Sequence, residues 1–214
     1  MTRLSIAKEG LTFVLPSLCL SFIFFLLGIH VVAVLLLLLT LFFLYFFRNP
    51  TRSTTSGTEE LISPADGRVT GIEELLENEF LGETVRRISI FMSVSDVHVN
   101  RAPCEGSVEK VEHREGRFRL AFKKGIDEEN ERNYILLRRN GERFLLVQIA
   151  GFLARRIVCY VRENDGVEKG EPVGMIAFGS RVDTYMPTCY KPAVEIGQRV
   201  KSGLTVLARR REES

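Results

Sequence analysis

Cysteine, histidine and net charge are all scarce in this chain of 214 residues. Its 29 basic and 27 acidic side chains nearly cancel, leaving +2. Nothing in that balance points to nucleic acid as a partner. The four cysteines, Cys19, Cys104, Cys159 and Cys189, contain no C-x-x-C pair. Their spacing argues against a zinc site and a disulfide framework, and it suits a reducing cytoplasm. The longest absence is of charge itself. No charged residue occurs from Leu11 to Phe47.

That run of about 37 residues would make a single helix of roughly 55 Å, whereas a bilayer core is about 30 Å thick. Two shorter helices fit better, near 11–27 and 31–47, with the break at Gly28-Ile29-His30. Pro16 then falls in the first turns, where proline is tolerated. A signal peptide would be shorter and would end at a small-residue cleavage site, but this run ends in Tyr45-Phe46-Phe47-Arg48. Arg3 and Lys8 precede it, and Arg48 and Arg52 follow. Positive charge on both flanks predicts a hairpin with both ends in the cytoplasm.

The soluble part follows. Residues 51–60 are short and polar and read as a linker, so the expected domains are 1–50, a membrane-anchoring hairpin, and 61–214. Strands are predicted over 85–93, 134–138, 143–150 and 155–162. Asn140-Gly141 between two of them is a strong type I′ hairpin signal. The segment 72–80 reads as a short helix or a loop, and 123–133 as a charged loop. In the last third, Val167…Gly170…Val173 is echoed by Ile196-Gly197…Val200…Gly203…Val206, the pattern of successive hairpins in small β-barrels. The predicted fold is mainly β, a β-barrel or barrel-sandwich-like domain with minor helix, behind a helical transmembrane hairpin. Lipoyl-type carrier modules use paired hairpins too, but Lys169, Lys191 and Lys201 lack the small or Met flanks that a carrier lysine has.

Three stretches carry candidate chemistry. Asp66 sits in Pro64-Ala65-Asp66-Gly67, which alone reads as a turn. His98 sits in Asp96-Val97-His98-Val99-Asn100-Arg101-Ala102-Pro103, after a predicted strand; alone, such a histidine is more often structural. Gly179-Ser180 follows an apolar run. A serine hydroxyl can attack the preceding carbonyl, and glycine offers no side chain in the way, although Gly-Ser is also a common turn dipeptide.

Together and in this order, these stretches resemble the phosphatidylserine decarboxylase proenzymes in their short bacterial and archaeal form. The resemblance runs through Pro-Ala-Asp-Gly, the His98 stretch, Glu129-Asn130-Glu131-Arg132, Gln148-Ile149-Ala150-Gly151, Ala154-Arg155-Arg156-Ile157-Val158 and Phe178-Gly179-Ser180-Arg181-Val182-Asp183. It implies self-cleavage at Gly179-Ser180 into associated chains 1–179 and 180–214, with Ser180 becoming a covalent pyruvoyl group. That cofactor would form a Schiff base with the serine headgroup of a phospholipid and act as the electron sink for loss of carbon dioxide. His98 is the expected general acid, since imidazole can hold and release a proton near neutral pH. The resemblance further implies phospholipid biosynthesis, with the membrane bilayer and the phospholipid as partners and no metal. It leaves a homo-oligomer open.

One departure stands out. Longer members carry Asp-Tyr-His-Arg-x-His, and here Arg101 falls at the second histidine, which serves there in a self-cleavage triad. A guanidinium is a poor base. Two readings remain for the base that activates Ser180: His98 serves both steps, oriented by Asp66, or Asp66 acts through another group. Arg101 is expected to pair with the substrate carboxylate or phosphate. The same chemistry on archaetidylserine is the near alternative. A non-catalytic membrane-anchored β-barrel adaptor or carrier is the distant one.

Overall fold

The computed structural model describes residues 4–116, 130–151, 157–177 and 179–211. Several expectations lie outside the described residues: the 123–129 part of the charged loop, Glu129, the start of the strand predicted over 155–162, Ala154-Arg155-Arg156, and Phe178.

The chain divides into two compact units between Thr51 and Arg52. The first is a helical hairpin. Helix Lys8–Leu26 turns at Gly28, with φ +77°, into helix His30–Phe46. The helices run antiparallel. Phe13 stacks on Phe47, Thr40 Oγ1 donates to Ser17 Oγ at 2.8 Å, and Ser21 Oγ donates to the Ala33 carbonyl at 2.7 Å. Such bonds give small hydroxyls partners where no water is at hand. A short strand pair, Leu4–Ile6 with Arg48–Pro50, closes the base. Pro16 lies deeper than expected, because the helix starts at Lys8 and places it in the third turn. Leucine, phenylalanine and valine cover the outer faces, among them Leu15, Phe22, Phe25, Val31, Leu35 and Leu38, all exposed. Lys8–Leu26 is long and apolar enough to cross a membrane, while His30–Phe46 is apolar but only 17 residues long.

The second unit is built from antiparallel strands. Its main sheet has eight, in the order Gly166–Val167, Gly106–Arg114, Arg132–Arg139, Glu142–Ala150, Ser180–Pro187, Glu83–Met92, Gly67–Glu77 and Arg199–Val200, curled into a half-barrel. Two three-stranded sheets complete the unit. One orders Ile157–Cys159, Pro172–Ile176 and Val99–Arg101; the other orders Tyr190–Pro192, Val206–Arg210 and Glu60–Ile62.

Alternation explains the core. Ile88, Ile90, Ile135, Leu137, Phe144, Leu146 and Val182 point inward and are essentially fully buried. Each such side chain stabilises the fold by about 1.5–3 kcal/mol relative to exposure. The opposite face of the sheet buries a smaller cluster of Tyr134, Leu136, Leu145, Val147 and Ile149. Asn140 and Gly141 adopt φ +50° and +85° between their strands, the left-handed pair a type I′ turn requires.

Two expectations need correction. Residues 72–77 are strand, the outer half of Gly67–Glu77, not helix or loop. Glu73 and Glu74 are held there by the cross-strand partners Arg87 and Arg86. In the C-terminal third, the glycine turns at Gly170, Gly197 and Gly203 occur, each with positive φ. Their flanking strands, however, do not pair with one another as successive hairpins. Gly166–Val167 pairs with Gly106–Arg114, and Arg199–Val200 pairs with Gly67–Glu77. Strands of two residues bury too little alone, so each docks on a longer neighbour.

Candidate active site

Ser180 opens its strand, and both neighbouring strands end beside it. Its register partners are Met92 on one side and Ala150 on the other. Gly179 precedes it with φ +66°, a left-handed conformation that glycine adopts without strain. The Ser180 side chain is fully buried, and its Oγ donates to Met92 Sδ at 3.4 Å. Met92 Sδ also receives Asn100 Nδ2 at 3.5 Å. Asn100 Oδ1 in turn accepts from Gln148 Nε2 at 2.8 Å, and Gln148 Oε1 accepts from Asn133 Nδ2 at 2.9 Å. A chain of buried amides therefore ends under the Ser180 hydroxyl. Buried amides need such partners, because an unmade hydrogen bond there costs about 1–3 kcal/mol. Gly174 makes room for the chain: a methyl carbon there would stand 2.8 Å from Gln148 Nε2.

His98 lies two residues before Asn100 and is fully buried. Its Nδ1 is 2.9 Å from the Asp96 carbonyl oxygen. A carbonyl only accepts, so Nδ1 carries the proton and Nε2 of the neutral ring keeps a lone pair. That is the tautomer of a base. The Asp96 carboxylate is engaged by Ser93 N at 2.9 Å and Ser93 Oγ at 2.6 Å, which fixes the loop carrying the histidine.

Asp66 does not orient that Nδ1. Its carboxylate takes both terminal nitrogens of Arg52, with Nη2 at 2.8 Å, and also the Ser202 backbone N–H at 2.8 Å. Arg52 Nη1 reaches the Ser202 carbonyl as well, at 2.6 Å. Arg101 belongs to this cluster. Strand alternation turns it away from Asn100, its Nη1 donates to the Gly170 carbonyl at 2.8 Å, and it is 5% exposed. Burial first, then the neighbouring Arg52 charge, pull its guanidinium below the ordinary arginine value. The structure thus groups Ser180 with Met92 and Asn100, and Asp66 with Arg52 and Arg101.

Arg52 was not among the candidates. It lies in a segment that carries no helix or strand, yet Arg52 and Thr54, whose Oγ1 donates to the Gly203 carbonyl at 2.7 Å, are both bonded into the second unit. The Arg52 and Asp66 side chains are 8% and 12% exposed. Removing one partner of a buried pair leaves the other charge stranded, so Arg52→Ala should destabilise the second unit by about 3 kcal/mol. Urea unfolding in detergent reads this as a lower midpoint. An unchanged midpoint would show that the pair contributes nothing.

Met92, Asn100, Gln148 and Asn133 were also missed as a group. One signal was present: Gln148 shares the inward face of its strand with Phe144 and Leu146, where a polar side chain demands partners. The opposite face of the sheet carries a pocket of about 410 Å³ lined by Arg132, Ile149, Arg181, Asp183 and Tyr185, among others. Arg181 donates to Asp183 there at 2.8 Å. Ser180 points to the other side. Among the described residues, no group of three or more His, Cys, Asp or Glu is placed to hold a metal ion.

The family model described as phosphatidylserine decarboxylase matches residues 39–208. A phosphatidylserine decarboxylase proenzyme of Syntrophus aciditrophicus is 46% identical over 200 residues, covering 92% of this chain and 94% of the relative. The proenzyme of the same name from Nitratidesulfovibrio vulgaris is 41% identical over 98% of this chain and 97% of its own length. That of Carboxydothermus hydrogenoformans is 48% identical over 77% and 78%. Relatives this similar, matched along most of the length and through the segments that carry Ser180, His98 and Asp66, make this chain a member of the phosphatidylserine decarboxylase family and a decarboxylase.

Proposed function

We propose that the chain cuts itself between Gly179 and Ser180, turns Ser180 into a pyruvoyl group, and uses it to convert phosphatidylserine into phosphatidylethanolamine in phospholipid biosynthesis. The observation that carries this reading is the seating of the bond. Ser180 Oγ is buried at the meeting of three strands, and among the described residues, chain neighbours aside, nothing lies within 4 Å of the position a Gly179 side chain would occupy. Gly179 thus brings no side chain of its own to block attack on its carbonyl, and Ser180 Oγ is buried beside it.

In the cut, His98 Nε2 takes the Ser180 hydroxyl proton. Oγ attacks the Gly179 carbon, the amide bond breaks, and the proton passes to the Ser180 nitrogen, leaving an ester. Loss of the Ser180 α-proton then expels the Gly179 carboxylate. Hydrolysis of the dehydroalanine releases ammonia and leaves the ketone. The residues present fit that group, since Ser180 sits where a small planar acyl terminus is enclosed by Met92 and the Ala150 strand end. Its carbonyl supplies an electrophile for the substrate amine and a sink for electrons on loss of carbon dioxide. His98 is buried and held by Asp96, so it is placed to return a proton at the α-carbon. Arg101 lies buried beside Arg52 and Asp66, with its Nη1 on the Gly170 carbonyl.

The hairpin anchors the enzyme in the bilayer. The basic flanks support a catalytic unit on the cytoplasmic side, and the two fragments stay associated through the shared sheet. Purified chain incubated with phosphatidylserine in mixed micelles should release carbon dioxide and form phosphatidylethanolamine in equal amounts. A parallel arm with archaetidylserine measures the ether-lipid alternative. No carbon dioxide from a cleaved sample with either lipid would overturn the reading.

A further inference from the structure

Among the described residues, two contacts at the scissile peptide come from residues other than His98, Asp66 and Arg101. The first is Gly151, the residue after Ala150 on the neighbouring strand. A methyl carbon there would overlap the Gly179 carbonyl oxygen, and it would stand 3.0 Å from the Gly179 carbon and 3.6 Å from the Ser180 nitrogen. All three atoms of the bond to be cut thus lie against the bare Cα of Gly151. The second is Met92, whose sulfur receives the Ser180 hydroxyl.

We propose that Gly151 and Met92 form a cradle that positions the Gly179-Ser180 bond for self-cleavage, Gly151 seating the carbonyl and Met92 seating the attacking oxygen. The proposal rests on the self-cleavage reading above. Attack turns the Gly179 carbon from planar to tetrahedral and moves negative charge onto its oxygen. With no side chain at Gly151, the sheet holds that carbonyl close and leaves it space to pyramidalise. Any Cβ would push it off the line of attack, and a displacement near 1 Å suffices to lose about a hundredfold in rate.

Met92 suits the oxygen for a different reason. A thioether is a weak acceptor, so it orients the hydroxyl without competing strongly for its proton. Methionine is normally a flexible side chain. Here its sulfur is pinned from the other side by Asn100, which is fixed by Gln148 and then by Asn133. The amide chain thus has a job at the bond: it holds the seat of the nucleophile still. Gly151 and Met92 are positioning residues, and neither exchanges a proton.

The test follows the appearance of the small chain after synthesis of the full-length protein in detergent. Each variant is compared in thermal midpoint with uncut Ser180→Ala. Gly151→Ala should slow cleavage by at least about 100-fold. Met92→Leu conserves volume and should fold, but it removes the sulfur that receives both Ser180 Oγ and Asn100 Nδ2, and it should cut about fivefold more slowly. Gly106→Ala is the control. A methyl carbon there would stand 2.5 Å from the Arg138 carbonyl oxygen in the same sheet, away from the bond. It should cut at the wild-type rate. If Gly151→Ala does not fold, Met92→Leu decides. Wild-type cleavage rates in both cradle variants would overturn the proposal, as would equal slowing by Gly106→Ala. A wild-type chain that stays whole overturns self-cleavage itself and the cradle with it, a result distinct from a cleaving wild type with indifferent variants.

Discussion

Ser180→Ala should leave the chain in one piece and without decarboxylase activity. Alanine lacks the oxygen that attacks Gly179, so neither the ester nor the ketone can form. The fold should survive. Ser180 is fully buried, alanine is smaller, and the side-chain bond lost among the described residues is the weak one to Met92. The loss of activity should reach at least about 10⁶-fold, the lower end of enzymatic rate enhancements, because the reacting group is never made. A denaturing gel and a carbon dioxide assay read both outcomes. Two bands from the variant would end the self-cleavage account.

The second large effect is at His98. His98→Ala should lower decarboxylation by about 10²–10⁴-fold, the usual contribution of a positioned general acid or base. On the proposed mechanism it should also stay uncut, since one Nε2 would serve both the cut and the return of the proton. The Asp96 carbonyl sets the tautomer for that role. His98→Gln separates chemistry from packing: its amide N–H can still meet that carbonyl, yet it has no titratable nitrogen, so it should fold and remain uncut and inactive. A His98→Ala protein that cuts normally but does not decarboxylate would confine His98 to the second step. Wild-type activity would remove it from the mechanism.

What could be read from the chain alone depended on how local the physics was. The helical hairpin follows from an uncharged run and one glycine, and the Asn140-Gly141 turn from two residues whose backbone preferences are strong by themselves. Strands buried on both faces, such as Glu142–Ala150, announce themselves as short apolar runs bounded by turn residues. Gly67–Glu77 does not, because its outer half mixes exposed and half-buried residues on both faces and its stabilising partners, Arg86 and Arg87, come from the next strand. The candidate residues Ser180, His98 and Asp66 stood in short motifs. What they touch could not be read there. The Arg52–Asp66 pair joins residues 14 apart through an irregular segment. The chain from Met92 through Asn100 and Gln148 to Asn133 crosses separate strands and has no sequence period. Motif order suggests Asp66 as the partner of His98; the structure sets its carboxylate against the Arg52 guanidinium and the Ser202 N–H.

The measurement closest to the central claim is the intact mass of the small chain from purified wild-type protein. The account predicts a fragment beginning at position 180 that is lighter than the serine-started peptide by one ammonia, the mark of a pyruvoyl terminus. A single full-length mass, or a fragment starting with an unaltered serine, would contradict it.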